Sequence, residues 1–242
     1  MFGLFNKNKT FAPLVTDMHC HLLPGVDDGS SNISETISCL KTLYSVGFKK
    51  IYFTPHFQAH YPNNEEDIKQ RFAELKKTLE KEKIDDMPEV IDVAGEYRFD
   101  DKFARIPGVD NVLTLPGKRL LCEFSLHFNN FSPLSLFEEY IKMGYKLILA
   151  HPERYPYLNI HSEQIVKMKE MGIAFQVNIL SLNGFYGESA MKKGFEYIEH
   201  NMSEYLGTDT HNMRYGKALQ QTAENKQVQK ILKNHKFQNS EI

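Results

Sequence analysis

A chain of 242 residues with 41% hydrophobic and 25% charged content is long enough for one large α/β domain and does not require a second. A formal charge of -2 excludes the broad basic surface that polyanion binding demands, so nucleic acid is not an expected partner and any recognition of phosphate must be local. No apolar run approaches the roughly 18 residues that cross a bilayer, and the opening Met1-Phe2-Gly3-Leu4-Phe5 is too short for a signal peptide, which reads as a cytoplasmic protein with no transmembrane segment.

Short β-branched or aromatic runs alternate with longer amphipathic ones from Val15 onward, the pattern of βα units around a parallel sheet. Residues 1–13 read as a flexible N-terminal segment, 14–235 as one domain, and 236–242 as a polar tail that frays. The first strand, about 14–19, runs into His19-Cys20-His21, and period 2 points both imidazoles the same way. The loop continues as Leu22-Leu23-Pro24-Gly25-Val26-Asp27-Asp28-Gly29. A helix over 33–46 follows, closed at Gly47, and a strand over 50–55 ends in Thr54-Pro55-His56. Segment 65–83 places Ile68, Phe72, Leu75 and Leu79 at three- and four-residue spacing on a charged background, a surface helix that covers the sheet.

The third strand, 90–95, leads to Gly95-Glu96, with a short helix near 98–104; the fourth, 119–124, carries Cys122-Glu123. A helix over 134–143 precedes Gly144 and a strand over 146–150, which ends at His151 of Ala150-His151-Pro152-Glu153-Arg154-Tyr155. Helix 163–171 and Gly172 lead to strand 173–178, and helix 189–200 to strand 204–208, which delivers Gly207-Thr208-Asp209-Thr210-His211. A final helix is expected over 215–234. Seven strands fit one barrel-like domain.

Every unusual polar residue thus falls at the carboxyl end of a strand, where parallel sheets and barrels build their sites. Five of the ten histidines (His19, His21, His56, His151 and His211) meet three carboxylates there, Glu96, Glu123 and Asp209, with Asp28 arriving from the first loop. Taken singly, each is an ordinary hydrogen-bonded loop residue. As a set they are too many for one ion and match a cluster of two or three, and mixed His/carboxylate donors suit Mn, Fe or Zn. His60 and His127 fall just past strands and either line the pocket or face solvent, whereas His161, His200 and His235 read as surface residues. Cys20, Cys39 and Cys122 have no close pair, as in a reducing compartment. Val26, Ser45 and Phe128 stand where a cysteine-nucleophile phosphatase would need its arginine, which excludes that mechanism.

The motif Asp17-Met18-His19-Cys20-His21-Leu22-Leu23-Pro24-Gly25-Val26-Asp27-Asp28-Gly29, with the strand-end residues above, resembles the polymerase-and-histidinol-phosphatase (PHP) superfamily of phosphoesterases and, within it, the CpsB/CapC branch of manganese-dependent protein-tyrosine phosphatases. The resemblance spans about residues 15 to 216 and implies a single-domain distorted (β/α)7 barrel, TIM-barrel-like, holding three metal ions. By that resemblance His19, His21 and Asp209 bind the first ion, Glu96 bridges to the second, Glu123 and His151 complete the second, and Asp28, His56 and His211 hold the third. It further implies Mn2+, a phosphate-binding Arg154 in its His-x-x-Arg-Tyr context, and a bacterial tyrosine autokinase of capsular or exopolysaccharide synthesis as the phosphotyrosyl partner. Arg214, which follows His211 at a shorter spacing than the family's second arginine, is the second candidate phosphate-binding residue by the same resemblance, or else a surface ion-pair residue.

The reaction expected is attack by a metal-held water, with cations and Arg154 neutralising the phosphoryl oxygens and no phosphoenzyme. Asp27, His60 and His127 are the candidate proton donors to the leaving oxygen, and aromatic loops at 57–61 and 128–131 either grip the phosphotyrosine ring or pack in the core. A histidinol-phosphate phosphatase, or another small-molecule phosphoesterase, is the rival enzyme; a nuclease lacks the basic groove. A metal-stabilised regulatory binding protein is the non-enzymatic rival.

Overall fold

The computed structural model of the protein describes residues 10–99, 111–127 and 133–242. The first nine residues, most of the helix expected near 98–104, and the aromatic loop at 128–131 lie outside the described residues.

The fold is mixed α/β with two parallel sheets. The smaller has the order β1 (Thr16–Asp17), β2 (Lys50–Phe53), β4 (Glu89–Val93). The larger runs β3 (His56–Phe57), β5 (Glu96–Arg98), β6 (Arg119–Glu123), β7 (Lys146–Ala150), β8 (Ala174–Asn178), β9 (Tyr205–Gly207). Each strand pairing in both is parallel. Within each sheet the strand carboxyl ends therefore face one way, the arrangement that gathers loop residues into one site.

The expected strands 50–55 and 90–95 each divide, because Thr54-Pro55 and Ala94-Gly95 step the chain from the smaller sheet to the larger. Pro55 has no N–H for a ladder but its carbonyl accepts from Glu96 at 3.0 Å, while Ala94 donates to Phe53 at 2.8 Å. Gly95 is required at its step: a Cβ there would stand 2.6 Å from the Tyr97 ring and 2.8 Å from the Phe57 ring. Beyond β1 the chain meets the segment after β9, with Asp209 N–H donating to His19 O (2.8 Å) and His21 N–H to Thr210 O (2.9 Å).

Helices α1 (Ile33–Ser45), α2 (Glu65–Glu82), α3 (Leu134–Lys142), α4 (Glu163–Glu170) and α5 (Glu188–Glu199) fall where the periodicity predicts. Asn32 and Asn64 cap the first two by accepting from Glu35 N and Asp67 N. On α2 the four expected apolar residues are the buried ones, each worth about 1.5–3 kcal/mol relative to exposure. The single helix expected over 215–234 is instead two, α6 (Met213–Ala223) and α7 (Lys226–Asn234). The break comes at Asn225, whose side chain accepts from Gln227 N and Val228 N and starts the second helix as its cap.

The first described residues and the C-terminal tail pack more firmly than their composition suggests. Phe11 is fully buried 5.8 Å from Phe48 and its N–H donates to Val46 O. In the tail expected to fray, Phe237, Asn239 and Ile242 are buried. The Asn239 amide donates to Thr16 O (3.0 Å) and Leu206 O (2.7 Å) and accepts from Leu206 N (3.0 Å), joining β1 to β9. One side-chain amide supplies the bonds that a neighbouring strand would, which a hydropathy reading does not register.

Candidate metal centre

Period 2 after β1 brings the Nε2 atoms of His19 and His21 to 3.3 Å from one another. Each ring is held from behind. His19 Nδ1 lies 2.7 Å from Gln176 Oε1, His21 Nδ1 2.8 Å from Asp27 Oδ2, and His211 Nδ1 2.8 Å from the Asp209 carbonyl. All three partners can accept, so an Nδ1–H given to each leaves Nε2 free to offer a lone pair to a cation, the orientation a ligating imidazole needs.

Glu96 stands among these rings, fully buried. Its Oε1 is 3.0 Å from His151 Nε2 and 3.3 Å from His19 Nε2, and its Oε2 is 3.0 Å from His56 Nδ1 and 3.3 Å from His21 Nε2. Asp209 Oδ1 is 3.4 Å from both His19 Nε2 and His21 Nε2, and Glu123 Oε1 is 3.4 Å from His56 Nδ1. Among the described residues four overlapping sets have ligand atoms within 4.8 Å of one another: His21, His56, His211; His19, His21, Asp209; His19, Glu96, His151; and His56, Glu96, Glu123. Eight of the nine residues read as ligands from the sequence are in those sets. The ninth, Asp28, is half exposed at the outer edge, its Oδ1 3.5 Å from His56 Nε2 and 3.7 Å from His211 Nε2.

Three observations fit this donor set to cations. His151 Nδ1 is buried with no hydrogen bond among the described residues, a cost of about 1–3 kcal/mol if nothing else engages it, and His56 Nδ1 and Glu96 Oε2 face one another at 3.0 Å without hydrogen-bond geometry. The second is electrostatic. Burial alone would raise the Glu96 and Asp209 carboxyls, but the imidazoles beside them, His19 above all, hold both well below the usual range. Burial alone would lower His21 and His56, yet the surrounding carboxylates raise both, His56 to about 10. A field that favours positive charge on imidazole also favours a bound cation. His211 goes the other way, to about 4, because burial and neighbouring His21 outweigh the carboxylates. Third, His151 (φ 36) and Asp209 (φ 52) occupy left-handed backbone, a strain of about 1–3 kcal/mol each that clusters at functional sites.

Arg154, on the short turn after β7, donates Nη1–H to Asp209 Oδ2 at 2.9 Å and lies 4.2 Å over the Tyr186 ring. Asn178 and Tyr186 donate to the same oxygen at 2.7 and 3.2 Å. Arg214 is not brought there: it is exposed at the start of α6, 5.1 Å over the Phe185 ring, with no ion pair among the described residues. His60 and His127 are exposed. Phe57 is buried against Tyr97, whereas half-buried Tyr61 stacks on His56 at 5.8 Å and 11°. The rings of Tyr61, His56, His21, His211 and Tyr215 follow one another at 5.8, 4.3, 4.1 and 5.0 Å, a column along the cluster's outer side.

Sequence patterning assigns no role to Gln176, Asn178 or Arg98, and it does not give Asp27 its actual one. Asp27 backs His21 and accepts from His56 N–H (3.0 Å), and these partners hold its carboxyl at about 2 against the opposing pull of burial. The available signal for Gln176 and Asn178 was two amides at period 2 in an otherwise apolar strand.

Known proteins share this arrangement's sequence and fold. The family described as "Capsular polysaccharide synthesis, CpsB/CapC" matches residues 15–238. The chain is 30% identical to a Staphylococcus aureus protein named as tyrosine-protein phosphatase CapC, over 82% of this chain and 78% of that one. It is 27% identical to tyrosine-protein phosphatase YwqE of Bacillus subtilis, over the same shares. A crystal structure from work on YwqE and on CpsB of Streptococcus pneumoniae, described there as metal-dependent tyrosine phosphatases, superposes with a TM-score of 0.74 at 26% identity, covering 93% of this chain and 89% of that one. The chain belongs to the CpsB/CapC family of capsular polysaccharide synthesis.

Proposed function

We propose that the protein is a metal-dependent phosphoric monoester hydrolase that removes phosphate from tyrosine in proteins. The observation that carries this reading is Glu96, whose two oxygens each lie within 3.3 Å of two imidazole nitrogens in a buried, histidine-rich cluster. The activities named for the family's relatives agree with it.

In this reading His19, His21 and Asp209 would hold one ion, Glu96 would be shared with a second held also by Glu123 and His151, and Asp28, His56 and His211 would hold a third. The overlap of the four donor sets supports shared ligands. Mn2+ is the ion proposed, in a site whose donors also suit Fe or Zn. Divalent cations bound there supply Lewis acidity and bring the pKa of water from about 15.7 towards 7.

The chain's own groups do the remainder. Arg154, anchored on Asp209 and Tyr186, offers its other N–H donors to the phosphoryl oxygens. Arg214, exposed over Phe185, reaches substrate only outside the cluster, and Tyr61 offers a ring for the phosphotyrosine to pack against. No thiol serves as nucleophile: Cys20, Cys39 and Cys122 are buried and burial pushes all three up, Cys39 to about 12. The backbone bonds from His19 and His21 to the segment after β9 support closure of the sheets into a distorted (β/α)7 barrel. The proposed partner is the phosphorylated tail of a bacterial tyrosine autokinase of capsule synthesis, met in the cytoplasm; no described helix is long and apolar enough to cross a membrane.

The test is hydrolysis of a phosphotyrosyl peptide beside histidinol phosphate at equal concentration, with Mn2+ and after chelation. Preferential, chelator-sensitive release of phosphate from the peptide supports the reading. Preference for histidinol phosphate moves the substrate to the small-molecule branch.

A further inference from the structure

Arg98 is the last residue of β5, two past Glu96, so the strand's period projects both from one face with Arg98 a step nearer the carboxyl end where the cluster opens. Burial follows that order. Glu96 is sealed, the Arg98 side chain is 22% exposed, and Tyr97 between them turns to the core, where its hydroxyl accepts from Leu113 N.

The Arg98 guanidinium spends two donors on a single oxygen: Nε lies 3.2 Å and Nη2 3.1 Å from Glu123 Oε1. Glu123 is its ion-pair partner among the described residues. Five N–H donors belong to the group, so among the described residues most of its capacity is unspent. Arg154 has the same design on another carboxylate: one donor on Asp209 Oδ2 and a side chain 20% exposed. Those two carboxylates flank Glu96 on different sides, Glu123 with His56 and His151, Asp209 with His19 and His21. An arginine anchored by a buried carboxylate is pre-oriented, and a phosphoryl group has three non-bridging oxygens, more than one fork can satisfy.

We propose that Arg98 is a second phosphoryl-binding arginine, which with Arg154 takes the non-bridging oxygens of the substrate from opposite sides of the cluster. The inference rests on the metal-dependent phosphatase reading and adds a substrate contact to it. The competing role for Arg98 is to pin Glu123 as a ligand, and the two roles separate experimentally, because the first acts on anion affinity and the second on metal affinity.

The experiment is calorimetric titration of inorganic phosphate into the Mn2+-saturated protein, beside titration of Mn2+ alone, for wild type, Arg98→Gln and Arg98→Lys, with thermal midpoints to report folding. Loss of a charge-assisted contact predicts phosphate binding at least about ten-fold weaker in Arg98→Gln. Arg98→Lys keeps the charge without the fork and falls between. Mn2+ affinity stays within about three-fold, well short of the 10–100-fold cost of losing a ligand's orienting partner. Unchanged phosphate affinity, or a loss confined to Mn2+, overturns the proposal, and Arg98→Lys decides in the same way if Arg98→Gln does not fold. Wild-type protein that binds neither Mn2+ nor phosphate overturns the metal-centre reading together with this one; wild type that binds both while Arg98→Lys matches it overturns this one alone.

Discussion

Asp17 and Asp209 stand on either side of the seam between the first and last strands, equally buried, and their carboxyls are driven in opposite directions. Asp17 receives Thr208 N–H (3.1 Å), the Thr208 hydroxyl (2.6 Å) and, more distantly, His19 N–H (3.4 Å); burial outweighs these neutral donors and pushes its carboxyl up to about 6. For Asp209 burial is outweighed by His19, His21, His211 and Arg154, which hold it well below the carboxylate range. Burial is common to both, so the charge of the company decides. A buried acid satisfied by neutral donors is a structural rivet, whereas one among imidazoles that converge with a second buried carboxylate is a place for cations.

That contrast predicts a double dissociation. Asp209→Asn or His151→Ala lowers kcat/KM on a phosphotyrosyl peptide by more than about 100-fold while circular dichroism and the urea midpoint stay near wild type, since each removes a cluster member and Asn at 209 keeps one oxygen for the Asn178, Tyr186 and Arg154 donors. Asp17→Ala does the reverse. It leaves the Thr208 donors unpaired and destabilises the fold by about 2–4 kcal/mol in urea, with Mn2+ still bound by what remains folded. If Asp17→Ala removed metal without lowering stability, the two aspartates would not differ as described.

A smaller effect follows from pH. The folded Asp17 carboxyl sits at about 6 against an ordinary value of 3.8, so its contribution is fully present below about 4 and lost as pH rises through 6. The stability gap between wild type and Asp17→Ala is therefore wider at pH 4.5 than at pH 7, by about 1–3 kcal/mol. A gap that widened with rising pH would mean that Asp17 is held ionised. Least in size, Tyr61→Ala raises KM for the phosphotyrosyl peptide by about 3–10-fold with little change in kcat, the worth of one ring contact; equal KM values would remove Tyr61 from the substrate path.

The sequence exposed the His/carboxylate cluster because strand ends are periodic: each of His19, His56, Glu96, Glu123, His151 and Asp209 follows or ends an apolar run, and a parallel sheet sends all such ends one way. It did not expose what stands behind the ligands. Gln176 reaches His19 from β8, 157 residues away in the chain, a distance over which no spacing rule operates. Arg98 lay where a helix was expected, and β3 and β5, two and three residues long, give too little periodicity to be separated from the strands before them. Asn225 and Asn239 act through single amides, one breaking the last helix in two and one docking the tail, and hydropathy does not register either.

The most direct measurement is the metal content of the purified protein, by elemental analysis, alongside phosphotyrosyl-peptide hydrolysis before and after chelation and on return of Mn2+. The proposed centre predicts about three equivalents of metal, loss of activity on chelation, and its return with Mn2+. Protein free of metal that hydrolyses the peptide at the same rate in the presence of chelator would show that the cluster is not the seat of catalysis.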